Sequence, residues 1–141
     1  MIVATNVTFQ PTMSLDDMLI AGQINDSNLR FLFEGVSVRG VDVAEMPQLH
    51  DFGRPIDSAT AVNELGLLGL RPATFAELLL FGANHFEEEG LPMIAALDDR
   101  RVFRYDGIRY VPLLNIRERC ISAEAWIDVG ETHYRFAVVP T

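Results

Sequence analysis

The stretch Thr74-Phe75-Ala76-Glu77-Leu78-Leu79-Leu80-Phe81-Gly82-Ala83-Asn84 constrains the fold more than any other part of this 141-residue chain. Thr74 followed three residues later by Glu77 is a capping box: the hydroxyl serves the Glu77 amide and the carboxylate returns to the Thr74 amide. The pattern predicts a helix from Phe75 to about Asn84. Nearly every position in it is apolar. Such a helix has to be covered on more than one side, by its own fold or by a partner.

The length suits one domain, residues 1–141, burying about two thirds of its unfolded surface in a single core. No Ser/Gly linker or repeat divides it. Ile2–Phe9 reads as a strand stopped by Pro11. Ser14 caps a short helix, with Asp17 three residues on and Gly22 as its stop. Leu29–Val43 alternates with period two and reads as a hairpin, with a turn and a bulge at Gly35 and Gly40. Asp57 or Ser58 caps a further helix through Val62 and Leu65, broken by Arg71-Pro72-Ala73.

From Leu91 the chain reads as an antiparallel meander. Met93–Leu97 is a buried strand. Asp106-Gly107 is a type I′ hairpin signal pairing Tyr105 with Ile108, Arg104 with Arg109 and Phe103 with Tyr110. One face of that hairpin, Phe103, Tyr105, Ile108 and Tyr110, is expected to join the core. A second hairpin through Gly130-Glu131 would set Ile127 against Tyr134, Asp128 against His133 and Trp126 against Arg135, with Glu124 on the same face. The fold class is therefore α+β: an antiparallel sheet, mostly C-terminal, on two or three helices.

Three places invite chemistry. On the outer face of the expected last hairpin, Asp128 would orient His133 as a general base, and Arg135 over Trp126 would make a cation–π platform. The solvated face of a sheet shows the same pairs, and that plainer reading is preferred. Next, residues 100–119 carry Arg100, Arg101, Arg104, Arg109, Arg117 and Arg119 against Asp106 and Glu118, a local +4 in a chain of net charge −9. Arg104 opposite Arg109 needs compensation, from an acidic protein surface or from an anionic ligand held in guanidinium forks. Docking onto acids of this or a second chain is preferred. Last, His85 with Glu88 or Glu89 offers two metal ligands, too few for a site. No cofactor and no metal is expected.

Every basic residue is arginine, and residues 1–99 hold fifteen acids against four arginines. That balance argues against direct nucleic-acid or anionic-membrane binding. Cys120 is the single cysteine, so no intrachain disulfide exists and a reducing cytoplasm fits. The start Met1-Ile2-Val3-Ala4 shows no signal-peptide pattern. As a nucleophile, Cys120 lacks a Cys-His setting.

The string Leu49-His50-Asp51-Phe52-Gly53-Arg54-Pro55, with Gly69-Leu70-Arg71-Pro72-Ala73-Thr74-Phe75-Ala76-Glu77-Leu78-Leu79, resembles a group of small bacterial proteins sharing an "RPAT..ELL.FG" helix start. The resemblance implies the same helix-then-meander layout and attaches no activity. The residues then favour a non-enzymatic interaction protein, possibly a homo-oligomer, with Arg104, Arg109, Trp126, Asp128, His133 and Arg135 as partner- or ligand-binding candidates. Two alternatives stand beside it: an acidic inhibitor imitating nucleic-acid charge, and a small enzyme or ligand binder using the Trp126/Asp128/His133/Arg135 face.

Overall fold

A computed structural model describes residues 7–9, 14–26, 46–86, 90, 92–98 and 103–141. The fold is α+β, as the sequence reads. Among the described residues the helices are α1 (Leu15–Gly22), α2 (Ser58–Leu67) and α3 (Phe75–Asn84), with a 3-10 segment at Trp126–Glu131. Seven strands form one mixed, mostly antiparallel sheet: β1 (Gln48–His50), β2 (Leu70–Pro72), β3 (Met93–Ala95), β4 (Phe103–Tyr105), β5 (Ile108–Asn115), β6 (Cys120–Ala125) and β7 (Arg135–Pro140).

The last strand occupies the middle of the sheet. Phe136 pairs with His50 of β1 on one edge and with Ala95 of β3 on the other, the latter in parallel. Val138 pairs with Gln48 and with Pro72 of β2, so β2 and β3 follow one another along the same edge. Strand β5 repeats the arrangement, with β6 on one edge and both β3 and β4 on the other.

Both faces of this sheet are buried. Ile94, Leu114, Ala137 and Val139 pack against α3 and α1 through Phe75, Leu78, Leu79, Met18 and Leu19. Ala95, Val111, Leu113, Phe136 and Val138 pack on the opposite face against Ala61 and Leu65 of α2 and Val129 of the 3-10 segment. This is why Phe136-Ala137-Val138-Val139 is a continuous apolar run rather than an alternating one.

Each N-cap signal is realised, whereas the left-handed residue that ends α1 is Gln23, with Gly22 the last helical residue. The Ser14 side chain accepts from the Asp17 amide, Asp57 from Thr60, and Thr74 from Glu77. Every residue of α3 from Phe75 to Ala83 is buried by its own chain. The over-apolar helix therefore offers no face for self-association. Gly82 permits the close approach: a Cβ there would lie 2.9 Å from Leu114 Cδ2 and 3.0 Å from Ile24 Cδ1.

Several expectations change. Gly130 is no turn residue; a Cβ on it would sit 3.1 Å from the backbone of Asp57, so it is small to let the α2 N-cap approach. With both edges of β7 occupied, β6 cannot pair with it and pairs with β5 instead. Asp128 thus does not face His133, Trp126 does not face Arg135, and Ile127 is 84 % exposed rather than set against Tyr134. Arg71-Pro72 forms β2 rather than a simple break. The β4–β5 register is as read, with left-handed Asp106 and Gly107 in the I′ turn. Its apolar face joins the core only at the base, where Tyr110 packs against the α3-side cluster, while Tyr105 is 53 % and Ile108 44 % exposed. Of Ile2–Phe9 only Val7–Phe9 is described, and it is not in a strand. The Leu29–Val43 hairpin, Glu87–Glu89, Arg100 and Arg101 lie outside the described residues.

Two substitutions separate these layers. Leu78→Ala, in the fully enclosed helix, is expected to cost about 2–5 kcal/mol in urea unfolding. Ile127→Ser should change stability by less than about 0.5 kcal/mol. A large loss at Ile127 would restore the hairpin register.

Candidate interaction surface

The register that sets β6 on β5 also assembles the arginine surface. Arg104 lies opposite Arg109, and Tyr110 pairs with Ala125. The next residue along, Trp126, therefore falls beside Arg109, and the Arg109 guanidinium stands 3.6 Å over its indole. Arg109 Nη2 also reaches the carbonyl oxygen of Asp98, at 3.5 Å. These contacts compensate the like-charge rung: one arginine is drawn onto an aromatic ring and a carbonyl, and Arg104 stays exposed. Since the Arg109 guanidinium is engaged in this way, the pair does not form an open two-fork anion clamp.

Beyond Tyr110, β5 pairs with β4 alone, so residues 103–110 end as a two-stranded ribbon. Arg104, Tyr105, Asp106, Gly107 and Ile108 are all exposed there. Arg104 and Arg109 lie on one face, Tyr105 and Ile108 on the other.

The remaining candidates lie apart from the ribbon. His133 pairs not with Asp128 but with Asp51, just past β1, where Nε2 donates to Asp51 Oδ1 at 2.6 Å. The Gly53 amide donates to the same oxygen at 2.7 Å. These bonds, that from His133 foremost, hold the Asp51 carboxyl below the usual carboxylate range, aided by the charges of His133 and Arg135. Arg135 opens β7 beside Ile94, its guanidinium near Gly90. Asp128 is half-buried in the 3-10 segment. Glu124 accepts from the Tyr134 hydroxyl, whose pKa is pushed up to about 12, by burial first and by Glu124 second. The four-residue platform of Trp126, Asp128, His133 and Arg135 is thus not formed.

Sequence reasoning missed Asp51. Its Asx turn onto Gly53 is a local signal, but its partner is 82 residues away and only the topology brings the two together. The electrostatic-mimic reading loses two of its fifteen surface acids, because Glu77 and Asp98 are buried. His85 is structural: its Nδ1 donates to the Phe81 carbonyl at 2.9 Å and its ring stacks on Phe81. Among the described residues no group of three His, Cys, Asp or Glu is placed to hold a metal, and no helix is long and apolar enough to cross a membrane.

No family model, curated protein or solved structure matches the chain.

Two measurements probe these pairs. Asp51 has a folded pKa below its unfolded one, so its stabilisation is full above the ordinary carboxylate range and fades as pH falls below it. Acid unfolding of Asp51→Asn followed from about pH 5 to pH 2 should lose less stability over that interval than the parent. Equal slopes would remove the pair's role. Trp126 is the single tryptophan. Arg109→Ala should red-shift its fluorescence and raise acrylamide quenching, and unchanged emission would contradict the stacking.

Proposed function

We propose that this chain is a non-enzymatic interaction protein that presents the β4–β5 ribbon to an acidic protein surface. The observation that carries this reading is the exposed tip itself. Tyr105, 53 % exposed, and Ile108, 44 % exposed, lie on one face and exposed Arg104 on the other, on a ribbon whose I′ turn and Trp126-anchored Arg109 fix its shape. Tyr and Arg are the side chains that most often dominate protein interfaces. A ribbon already rigid before binding loses little further freedom when it docks. The local charge suits an acidic partner, and the overall −9 opposes nucleic acid and anionic membrane.

A photo-crosslinking residue in place of Tyr105, with the same residue at exposed Gly66 as a control, tests this in the native host. The expected result is a discrete adduct at position 105, through an acidic peptide of the partner, that disappears when Arg104→Glu is added. Adducts no stronger than at position 66, or insensitive to Arg104→Glu, would refute the reading.

A further inference from the structure

Strand order lays a basic, an apolar and an acidic group in sequence along the α2 side of the sheet. Arg104 and Arg109 share one face of the ribbon, and Val111, two residues on, packs in the core beneath α2, so both arginines face that side. Trp126 stands beside Arg109 on the edge of β5 away from β4, its indole under the guanidinium. Arg104 and the start of the 3-10 segment therefore lie one strand spacing to either side of β5, about 10 Å apart. Beyond Trp126 come Ile127, 84 % exposed, then half-buried Asp128 and exposed Glu131. Positions three apart eclipse in a 3-10 helix, which puts the two carboxylates on one edge.

Neither sign is matched within the chain. Among the described residues, Arg104, Asp128 and Glu131 make no ion pair and no side-chain hydrogen bond. Two carboxylates on one edge repel each other, and a cation brought against them relieves that repulsion.

We infer that this strip is a two-fold contact with a second copy of the chain, Ile127 packing on Ile127 and Arg104 of each copy meeting Asp128 and Glu131 of the other. A surface ordered basic, apolar, acidic is its own complement. Rotation about the apolar middle sets each charge against its opposite, and the contact closes at the dimer. The ribbon face that carries Tyr105 and Ile108 takes no part. The inference thus goes beyond the docking role proposed above and shares only Arg104 with it.

The contact uses few side chains and sits at the small end of interface size, so half-association is expected on the order of 0.1 mM. At micromolar concentration the chain is then monomeric, and Ile127→Ser leaves its unfolding unchanged there while weakening association at higher concentration.

Sedimentation equilibrium between about 10 µM and 1 mM tests the contact. The mass of the parent should rise towards the dimer, go no further, and fall with added salt. Arg104→Glu, Glu131→Arg and Ile127→Ser all lie at exposed positions, and circular dichroism confirms that each folds. Each alone should associate at least about tenfold more weakly. Arg104→Glu and Glu131→Arg mixed in equal amounts should regain the dimer, because each copy again meets the opposite sign.

A parent chain that stays monomeric to about 1 mM overturns the inference. Growth past the dimer overturns the two-fold, and so does a mixture that fails to pair while the parent associates. These outcomes are independent of the cross-link at position 105, which reports on the ribbon's other face and decides the docking role by itself.

Discussion

Burying α3 from Phe75 to Ala83 takes its N-terminus out of water and half-buries its C-terminus, and the fold depends on how those ends are satisfied. Helix termini leave amides and carbonyls without intrahelical partners, and a buried one without a substitute is costly. At the N-terminus, Glu77 Oε1 accepts from the Thr74 amide at 3.0 Å, the Thr74 hydroxyl accepts from the Glu77 amide, and Asp98 Oδ2 accepts from the Phe75 amide at 3.2 Å. Two buried carboxylates at the positive end of a helix dipole suit its polarity. Glu77, wholly buried, is matched by the Arg71 fork at 2.8 and 3.0 Å. At the other end, Arg119 donates to the carbonyls of Gly82 and His85 and also to Gly22, joining the C-termini of α3 and α1. Its backbone is left-handed and its guanidinium lies over the Phe86 ring, so one residue turns β5 into β6 and closes two helices.

That clamp gives the absence of lysine a physical content at two positions. Arg71 needs two parallel donors for one carboxylate, and Arg119 reaches three carbonyls from a planar head; an ammonium matches neither geometry. Burial lowers the Arg119 pKa, yet a guanidinium starts so high that it keeps its charge. A third arginine, Arg109, uses its flat face on Trp126. At these three sites arginine makes fixed, paired contacts, and two of them serve the fold.

What was legible in the sequence was local. Capping boxes at Ser14 and Thr74, the Asp57 N-cap and the Asp106-Gly107 turn act within four residues, so their chemistry is written in adjacent positions. What was not legible depended on strand order. Gly130 looked like turn chemistry because glycine marks turns and close approaches alike, and only the packing of α2 on the 3-10 segment tells them apart. The hairpin through Gly130-Glu131, with Ile127 against Tyr134 and Trp126 against Arg135, needs a register that β7 could not adopt once β1, β2 and β3 had taken its edges. The His133 partner moved from Asp128 to Asp51 for the same reason.

Strand order also decides the character of the arginine rung on the ribbon. With β6 beside β7, Trp126 would lie far from Arg109, and the Arg104/Arg109 rung would be an uncompensated repulsion demanding an anion. With β6 on β5, the same rung becomes asymmetric: Arg109 is drawn inward by the indole and the Asp98 carbonyl, and Arg104 alone projects. Asp98 belongs equally to the α3 cap through the Phe75 amide, so the buried helix and the exposed ribbon share one residue. The ribbon base is thereby held by the most enclosed part of the molecule, and its tip, with Tyr105 and Ile108, is where that support ends and apolar surface meets water. Arg109 and Asp98 thus tie the exposed end of the sheet to the α3 N-terminus, and the side chains beyond them, Arg104, Tyr105 and Ile108, are ones the core does not use.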